Sequence, residues 1–527
     1  MTFGDVEGEE DKLLKKSLVH TYSIEEVLKL NCNYILAPKG AGKSAIFKSF
    51  ESQYFIDFNY TNKFIVSINR AFIFEHNYLD KSKFSINDEM NCVISWGFYI
   101  FSLLLKDIQK NLSNNIFYGE LRSKLAKFFD LKEEFQLFNL LDYINELNIG
   151  MKFNINGTEL NVSPKVNINT PKKTLNLNEI FEIVNEFFYK NNLTALILID
   201  KIDDFVRYEE YTIQKKYVQA LYGCIEEIRR LSNITPILFL RTDLFYTLHI
   251  DIGLDKVMPR TVDLHWEKNE IIKFIAQRLI SNTYIKDNFM DALKINLPKK
   301  KKNVIQKIFS KEEPLDVDEV FKKLNHKEYL KFILLFFPQK IYHFESDGRK
   351  LRIDFIDWLF THFTDNNNYI SPRVLINFFN KLFTKQYRHF TENPDIVVKG
   401  FGICKLTERN GIETLDIFNE NVIYETYKEI RGKEIENISS LLKDEKHKKL
   451  FEAIRKLIHD NGNFYKKNIC FQDFDLQEED FNHVLNYLEV LGYLKREITV
   501  NNEHLYSVPI FYRTSNSKVS TYINTSK

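Results

Sequence analysis

Cysteine is scarce and shows no pairing pattern. The five residues Cys32, Cys92, Cys224, Cys404 and Cys470 are odd in number, far apart and never spaced Cys-x-x-Cys. That argues against a disulfide framework and a structural zinc site, and fits a reduced cytosolic chain. Excess charge is also missing: the net charge of +1 gives no global field that advertises nucleic acid or a membrane, so any such contact must come from a local patch. No apolar run is long enough to cross a bilayer; the longest, Val93 to Leu105, suits a buried helix. The amino terminus is acidic and polar, which speaks against a signal peptide. Glycine and proline are few, 17 and 11, against 46 Phe and 27 Tyr, a balance that favours a mainly helical body with packed aromatic cores. The expectation is a soluble, cytoplasmic protein without membrane contact.

At 527 residues the chain exceeds what one hydrophobic core serves, so several domains are expected. Its strongest chemical signal is Ala37-Pro38-Lys39-Gly40-Ala41-Gly42-Lys43-Ser44, which fits the phosphate-binding P-loop pattern with Ala37 at the usual first glycine. Tyr34-Ile35-Leu36 reads as the strand that launches the loop, and Ala45-Ile46-Phe47 as the first turn of the receiving helix. A triphosphate has to be held without side chains in the way. Gly40 and Gly42 let backbone N–H groups turn inward, and the helix adds the positive end of its dipole. Lys39 to Ala45 are thus the candidate ATP-binding residues, with Lys43 reaching the β- and γ-phosphates and the Ser44 hydroxyl taking a place on Mg²⁺.

Leu196-Ile197-Leu198-Ile199 reads as a strand buried on both faces of a parallel sheet. It ends in Asp200, where ligands of open α/β sheets collect. Asp200 is the candidate Mg²⁺ carboxylate. Position 201 is Lys, where many hydrolysing relatives carry Glu, so Asp203 or Asp204 must orient water if hydrolysis is fast; a slow, switch-like ATPase is the alternative. A third buried strand, Pro236 to Leu240, ends in Arg241-Thr242-Asp243. Arg241 is the candidate γ-phosphate sensor, with Thr242 as alternate, unless Arg241 pairs with Asp243 or another nearby carboxylate. Arg260 stands just before a short last strand, Val262 to Trp266, where a finger toward a neighbour's nucleotide or a solvated arginine would both fit. Ser371-Pro372-Arg373 opens a helix with Ser as cap and Pro first, which would aim Arg373 at the nucleotide if this region folds back as a lid.

The fold class expected is α/β, a P-loop NTPase parallel sheet with a helical insertion, followed by a helical lid and a winged-helix-like domain. The boundaries are an ATPase core over 1–285 with an insertion at about 87–175, a lid over 286–400, a winged-helix-like domain over 440–513 and a disordered tail over 514–527. Within the insertion, Phe153 to Val162 alternates around Asn156-Gly157, as a two-stranded hairpin does. Ser23 to Glu26 reads as a capping box, residues 281–370 as mostly helical, and Lys299 to Lys302 as an exposed loop. Near the end, helices Glu445 to Ile458 and Gln477 to Leu491 precede two strands around Asn501-Asn502. A wing of this kind can serve DNA, but Glu478-Glu479-Asp480 at the second helix's start makes a protein contact at least as good a reading.

Taken together, Phe3-Gly4 with Glu7 to Glu10, Lys39 to Ala45, Ile199 to Asp204, Arg241 to Phe245, Asp255-Lys256, Trp266, Phe337-Pro338 and Pro372-Arg373 resemble bacterial P-loop ATPases on the border between AAA+ and STAND proteins, with an origin-recognition-like layout. The resemblance spans residues 3 to about 380. It implies an ATP-driven switch or motor component, often found in bacterial defence against phage, that acts as a homo-oligomer or on a separately encoded effector. DNA is a further possible partner.

Overall fold

The computed structural model describes residues 2–55, 57–68, 89–128, 149–155, 158–162, 173–202, 211–247, 257–282, 324–344, 350–392, 397–398, 414–415, 417–442, 444–461 and 463–513. They fall into two compact units. One comprises Tyr22–Lys39 and Lys43–Leu264; the other comprises Met1–Thr21, Gly40–Gly42 and His265–Lys527. Asp203, Asp204, Asp255-Lys256, Lys299 to Lys302 and the expected tail after Arg513 lie outside the described residues.

The first unit is α/β. Its described strands are β1 (Tyr34–Ala37), β2 (Lys63–Ile68), β3 (Ile149–Ile155), β4 (Thr158–Val162), β5 (Lys173–Asn176), β6 (Thr194–Ile199), β7 (Ile234–Arg241) and β8 (Thr261–Asp263). Five of them form a parallel sheet in the order β2-β6-β7-β1-β8. The central strands are continuous apolar runs because both their faces are covered: Ala195 to Ile199 of β6 are fully buried. The edge strand β2 alternates between buried and half-buried residues. The run Val93 to Leu105 lies in the helix Glu89–Leu112, where Trp96 is buried and donates its indole N–H to the Tyr217 carbonyl at 3.1 Å. The chain leaves β1 toward β2 and leaves β7 toward β8, in opposite directions along the sheet. Such a reversal opens a crevice at the carboxyl ends of the strands, so topology alone puts the end of β1 where a ligand can enter.

The expected hairpin is present: β3 and β4 pair antiparallel from Met151↔Val162 to Ile155↔Thr158, and β5 adds to β3 in parallel. The expected capping box at Ser23 is not formed. The helix Tyr22–Leu28 begins one residue earlier, so Ser23 is inside it, and its hydroxyl donates to the Asp263 carbonyl at 3.0 Å. Glu26 pairs with Lys29.

The second unit is mainly helical and packed with aromatic rings. Phe337 stacks on Phe355 with centroids 4.4 Å apart and on Phe418 at 4.7 Å. Offset and edge contacts of this kind add to area burial. Within 281–370, read from sequence as mostly helical, Lys340–Phe344 and Lys350–Asp354 form an antiparallel hairpin. Their alternation is short and interrupted by charge, so the sequence pattern is ambiguous there. Ser371 caps the helix Pro372–Glu392 as expected, accepting from Val374 N at 3.4 Å. Toward the carboxyl end, helices Glu445–Asn461 and Glu478–Val490 pack with a three-stranded antiparallel sheet in which His504–Ser507 lies between Asn463–Tyr465 and Lys495–Ile498. The three-residue strand Asn463–Tyr465 is too short to show a period in sequence.

The amino-terminal Phe3-Gly4 has a clear role in this unit. Phe3 is fully buried with its ring 4.4 Å from that of Phe379. Asn380 clamps the backbone in both directions: its Oδ1 accepts from Phe3 N and its Nδ2 donates to Gly4 O, each at 2.7 Å. Arg278 donates to Phe3 O at 3.1 Å and pairs with Asp11 at 2.5 Å. Gly4 adopts φ +107°, and a Cβ there would fall 1.9 Å from Arg278 Nη1. Only glycine tolerates both the backbone angle and the approach of the guanidinium.

A second fastening joins the 365–369 turn to the end of helix Glu478–Val490. Asn366 N donates to Gly492 O at 3.1 Å, and Asn367 Nδ2 donates to Val490 O at 3.2 Å. Asp365 sits beneath, its Oδ1 accepting from Asn367 N at 2.8 Å and Tyr369 N at 2.9 Å. Burial pushes its carboxyl up to about 7 despite those two backbone bonds. A folded-state pKa above the unfolded one means that the folded chain holds the proton more tightly. The contribution to stability is therefore complete below about pH 4 and is lost as pH rises through about 7. Asp365→Asn should remove this part of the pH dependence: denaturant midpoints at pH 5 and pH 8 should differ less in the variant than in the parent.

Candidate functional site

The loop after β1 carries the two glycines where the backbone demands them: Gly40 has φ +87° and Gly42 φ +105°. These left-handed angles are strained for any residue with a Cβ. At Gly42 a Cβ would meet no atom of the described residues within 4 Å beyond its chain neighbours, which leaves room for a phosphate. At Gly40, in the second unit, a Cβ would meet Ser371 Oγ at 2.4 Å and Arg373 Cβ at 2.9 Å. The Arg373 backbone N–H donates to Gly40 O at 3.3 Å, and the Ser371 hydroxyl donates to the same oxygen at 3.4 Å. Ala41 is buried in that unit and accepts from the Trp266 indole at 2.9 Å. Lys39 is exposed and Ala45 half-buried.

In the first unit, the helix Lys43–Glu51 starts at the loop's last residues, so its free amide groups and positive dipole end follow the glycines. The Lys43 ammonium donates to Ala37 O at 3.1 Å and to Pro38 O at 3.5 Å. Ser44 Oγ donates to Asp200 Oδ2 at 2.9 Å. Asp200 is only 2% exposed at the carboxyl end of β6, and its N–H bonds Ile68 O at 3.0 Å, which locks its backbone to the sheet. Lys201 follows at φ +61°, a left-handed angle that costs a residue with a Cβ roughly 1–2 kcal/mol.

β7 pairs Arg241 directly with Ala37 of β1. Its guanidinium does not project alone: Nε donates to Asp243 Oδ1 at 2.9 Å and Nη2 to Asp243 Oδ2 at 2.5 Å. Of the two readings open in sequence, the carboxylate pairing is the one formed. Arg260 is elsewhere. It precedes β8, its carbonyl accepts from Asn33 N at 3.0 Å, and Asn33 precedes β1. In a parallel sheet this is the amino end, opposite to Lys43, Ser44 and Asp200. There Arg260 faces a buried group that sequence reasoning missed. Tyr34 Oη donates to Glu226 Oε1 at 2.8 Å, and Arg229 pairs with Glu226 at 2.5 Å. Burial tends to push the Glu226 carboxyl up, but bonds from Arg229 and Tyr34 and the charges of Arg229 and Arg260 hold it below the usual range. No spacing signal links positions 34, 226 and 260; only the sheet brings them together.

These residues fit a triphosphate with its metal. A hydroxyl and a buried carboxylate 2.9 Å apart are the oxygen donors, few in number, that suit Mg²⁺ beside a phosphate. Among the described residues no cluster of three His, Cys, Asp or Glu side chains offers a different metal site. No described helix is long and apolar enough to cross a membrane. No family model matches the chain, and no curated protein sequence matches it. Among solved structures, that of the Aeropyrum pernix ORC2 protein in ADPNP–ADP complexes is similar over 95% of this chain and 94% of that one, at 10% identity and a TM-score of 0.38.

Proposed function

We propose that this chain is a Mg²⁺-dependent ATPase that works as a slow switch, its nucleotide state governing self-association or the activity of a separately encoded partner. The observation that carries the reading is the Ser44–Asp200 bond of 2.9 Å, placed at the amino end of the helix Lys43–Glu51. A bound Mg²⁺ would supply charge neutralisation at the phosphates. Lys43 would bind the phosphates, while Asp200 and Ser44 would hold the ion. Asp203 or Asp204 would orient water, and Lys201 in place of an acid supports slow turnover. Arg373 is proposed as a second cation acting on the same loop, supported by its N–H on Gly40 O. Arg260 is proposed to act on a neighbouring copy, since its place at the amino end of the sheet keeps it from its own loop. A role in antiphage defence follows from the sequence resemblance.

The 440–513 region is proposed as a winged-helix-like domain that contacts protein rather than DNA. Three of its cations are paired with carboxylates, Lys467 with Glu503 at 2.5 Å, Lys495 with Glu497 at 3.1 Å and Arg496 with Glu489 at 3.4 Å. That leaves little unneutralised charge to release counterions from a duplex. The test of the ATPase reading is Asp200→Asn. Mg²⁺-dependent phosphate release should fall by about 100-fold or more, while nucleotide binding without Mg²⁺ is retained. Unchanged turnover in this variant would refute the assignment.

A further inference from the structure

The carboxyl-terminal part of the second unit has a core of its own. Leu450, Phe451, Ile454, Phe464 and Leu488 pack together there, separate from the aromatic cluster of Phe337 and Trp358. Helix Glu420–Leu441 serves both, with Ile423 and Ile430 in the aromatic cluster and Ile435 and Ile438 in the carboxyl-terminal one. The 365–369 turn reaches the second core through polar contacts. Asn366 Nδ2 donates to Tyr493 O and Ser507 O, each at 3.3 Å, and Asn367 Nδ2 donates to Glu489 O at 3.5 Å as well as to Val490 O. Water can take over such bonds at a small net cost, so this fastening can open with both cores intact. Gly492 fits the seat closely: its φ is +74°, and a Cβ there would fall 2.4 Å from Asp365 Oδ2. The Asp365 carboxyl thus lies against the seated backbone, with N–H groups of its own turn as its donors.

We propose that the 365–369 turn is a latch that opens as pH rises, freeing the carboxyl-terminal core from the turn while both cores stay folded. Opening returns Asp365 to water, where a carboxyl of this kind ionises near pH ~4. In the closed latch, burial pushes it up to about 7. The closed latch therefore holds the proton more tightly and is favoured at low pH, an advantage lost as pH rises from about 4 to about 7. Tyr369, on the same turn, and Tyr512 face Asp365 as phenols that burial holds protonated; Arg373 acts on Tyr369, and Glu434 and Tyr493 act on Tyr512. Glu489, on helix Glu478–Val490, is also pushed up by burial, with Arg496 opposing.

Hydrogen exchange on the full chain at pH 6 and pH 8.5, read as protection factors so that the intrinsic pH dependence drops out, tests the latch. The amides of Asn366, Asn367 and Tyr369 bond Gly492 O or Asp365 Oδ1. Their protection should fall about tenfold between the two conditions. Helices Glu445–Asn461 and Glu478–Val490 should keep theirs. Asp365→Asn should abolish the fall, and Glu489→Gln should leave it in place. Cutting the latch with Asn366→Ala and Asn367→Ala together should leave the turn weakly protected at both pH values, which keeps the proposal open to refutation if Asp365→Asn does not fold. A parent whose turn is equally protected at both pH values would overturn the proposal, as would a fall that survives in Asp365→Asn. Loss of protection in both helices in step with the turn would overturn it too, since the carboxyl-terminal core would then be unfolding rather than coming free.

Discussion

Lys43→Ala should bind ATP at least about 100-fold more weakly than the parent, because a charged donor to a phosphate is worth about 3 kcal/mol once water is excluded. The melting temperature should scarcely move. The ammonium is half-buried and donates to two backbone carbonyls, Ala37 O at 3.1 Å and Pro38 O at 3.5 Å, which the solvent can serve once the side chain is gone. The substitution therefore separates ligand binding from folding. Calorimetric titration with ATP and Mg²⁺ is the measurement, and an unchanged dissociation constant would remove the phosphate-binding role.

The opposite separation holds for Arg278→Ala, which should cost the fold about 3–5 kcal/mol, the usual penalty for removing one partner of a buried ion pair. Arg278 is 4% exposed and Asp11 7% exposed. Truncation leaves the Asp11 carboxylate enclosed, still accepting from Asp5 N at 3.1 Å and Leu13 N at 3.0 Å, but with no cation. It also removes the donor to Phe3 O, so the amino-terminal segment should detach before the rest of the unit. Chemical denaturation should show the lower midpoint, and limited proteolysis should cut first within residues 2–21. Equal stability of parent and variant would mean that Phe3 and Asn380 hold the segment without the ion pair.

Much of the candidate site was legible because its chemistry is local. A glycine loop, the lysine and serine that close it, and an aspartate at the end of an apolar strand all follow from short-range geometry and period. Lys43 and Ser44 open the helix after β1, and Asp200 directly follows β6. Where the sequence left two outcomes, as at Arg241, the deciding partner was only two residues away, and a buried carboxylate at bonding distance outweighs exposure to a ligand that comes and goes. Arg260 shows the limit of position along the chain. It lies before a strand as expected, yet strand direction sends it to the end of the sheet remote from its own loop.

Other features belonged to the tertiary structure alone. Phe3-Gly4 is a visible motif, but its purpose depends on Arg278 and Asn380, which are distant in sequence and become neighbours through helix packing. The same holds for the Tyr34–Glu226–Arg229 group and for Asp365 against Gly492. The hairpin over 340–354 and the strand Asn463–Tyr465 were hidden because runs of three to five residues carry too few turns of any period to be told from loop or helix. Sequence by itself determined the parallel sheet, the loop and the strand end that carries Asp200, since backbone sterics and burial of apolar strands act over a few residues. Only the folded chain decided which charges are paired and which glycine is indispensable for packing, because ion pairs and close approaches depend on distance in space rather than separation along the chain.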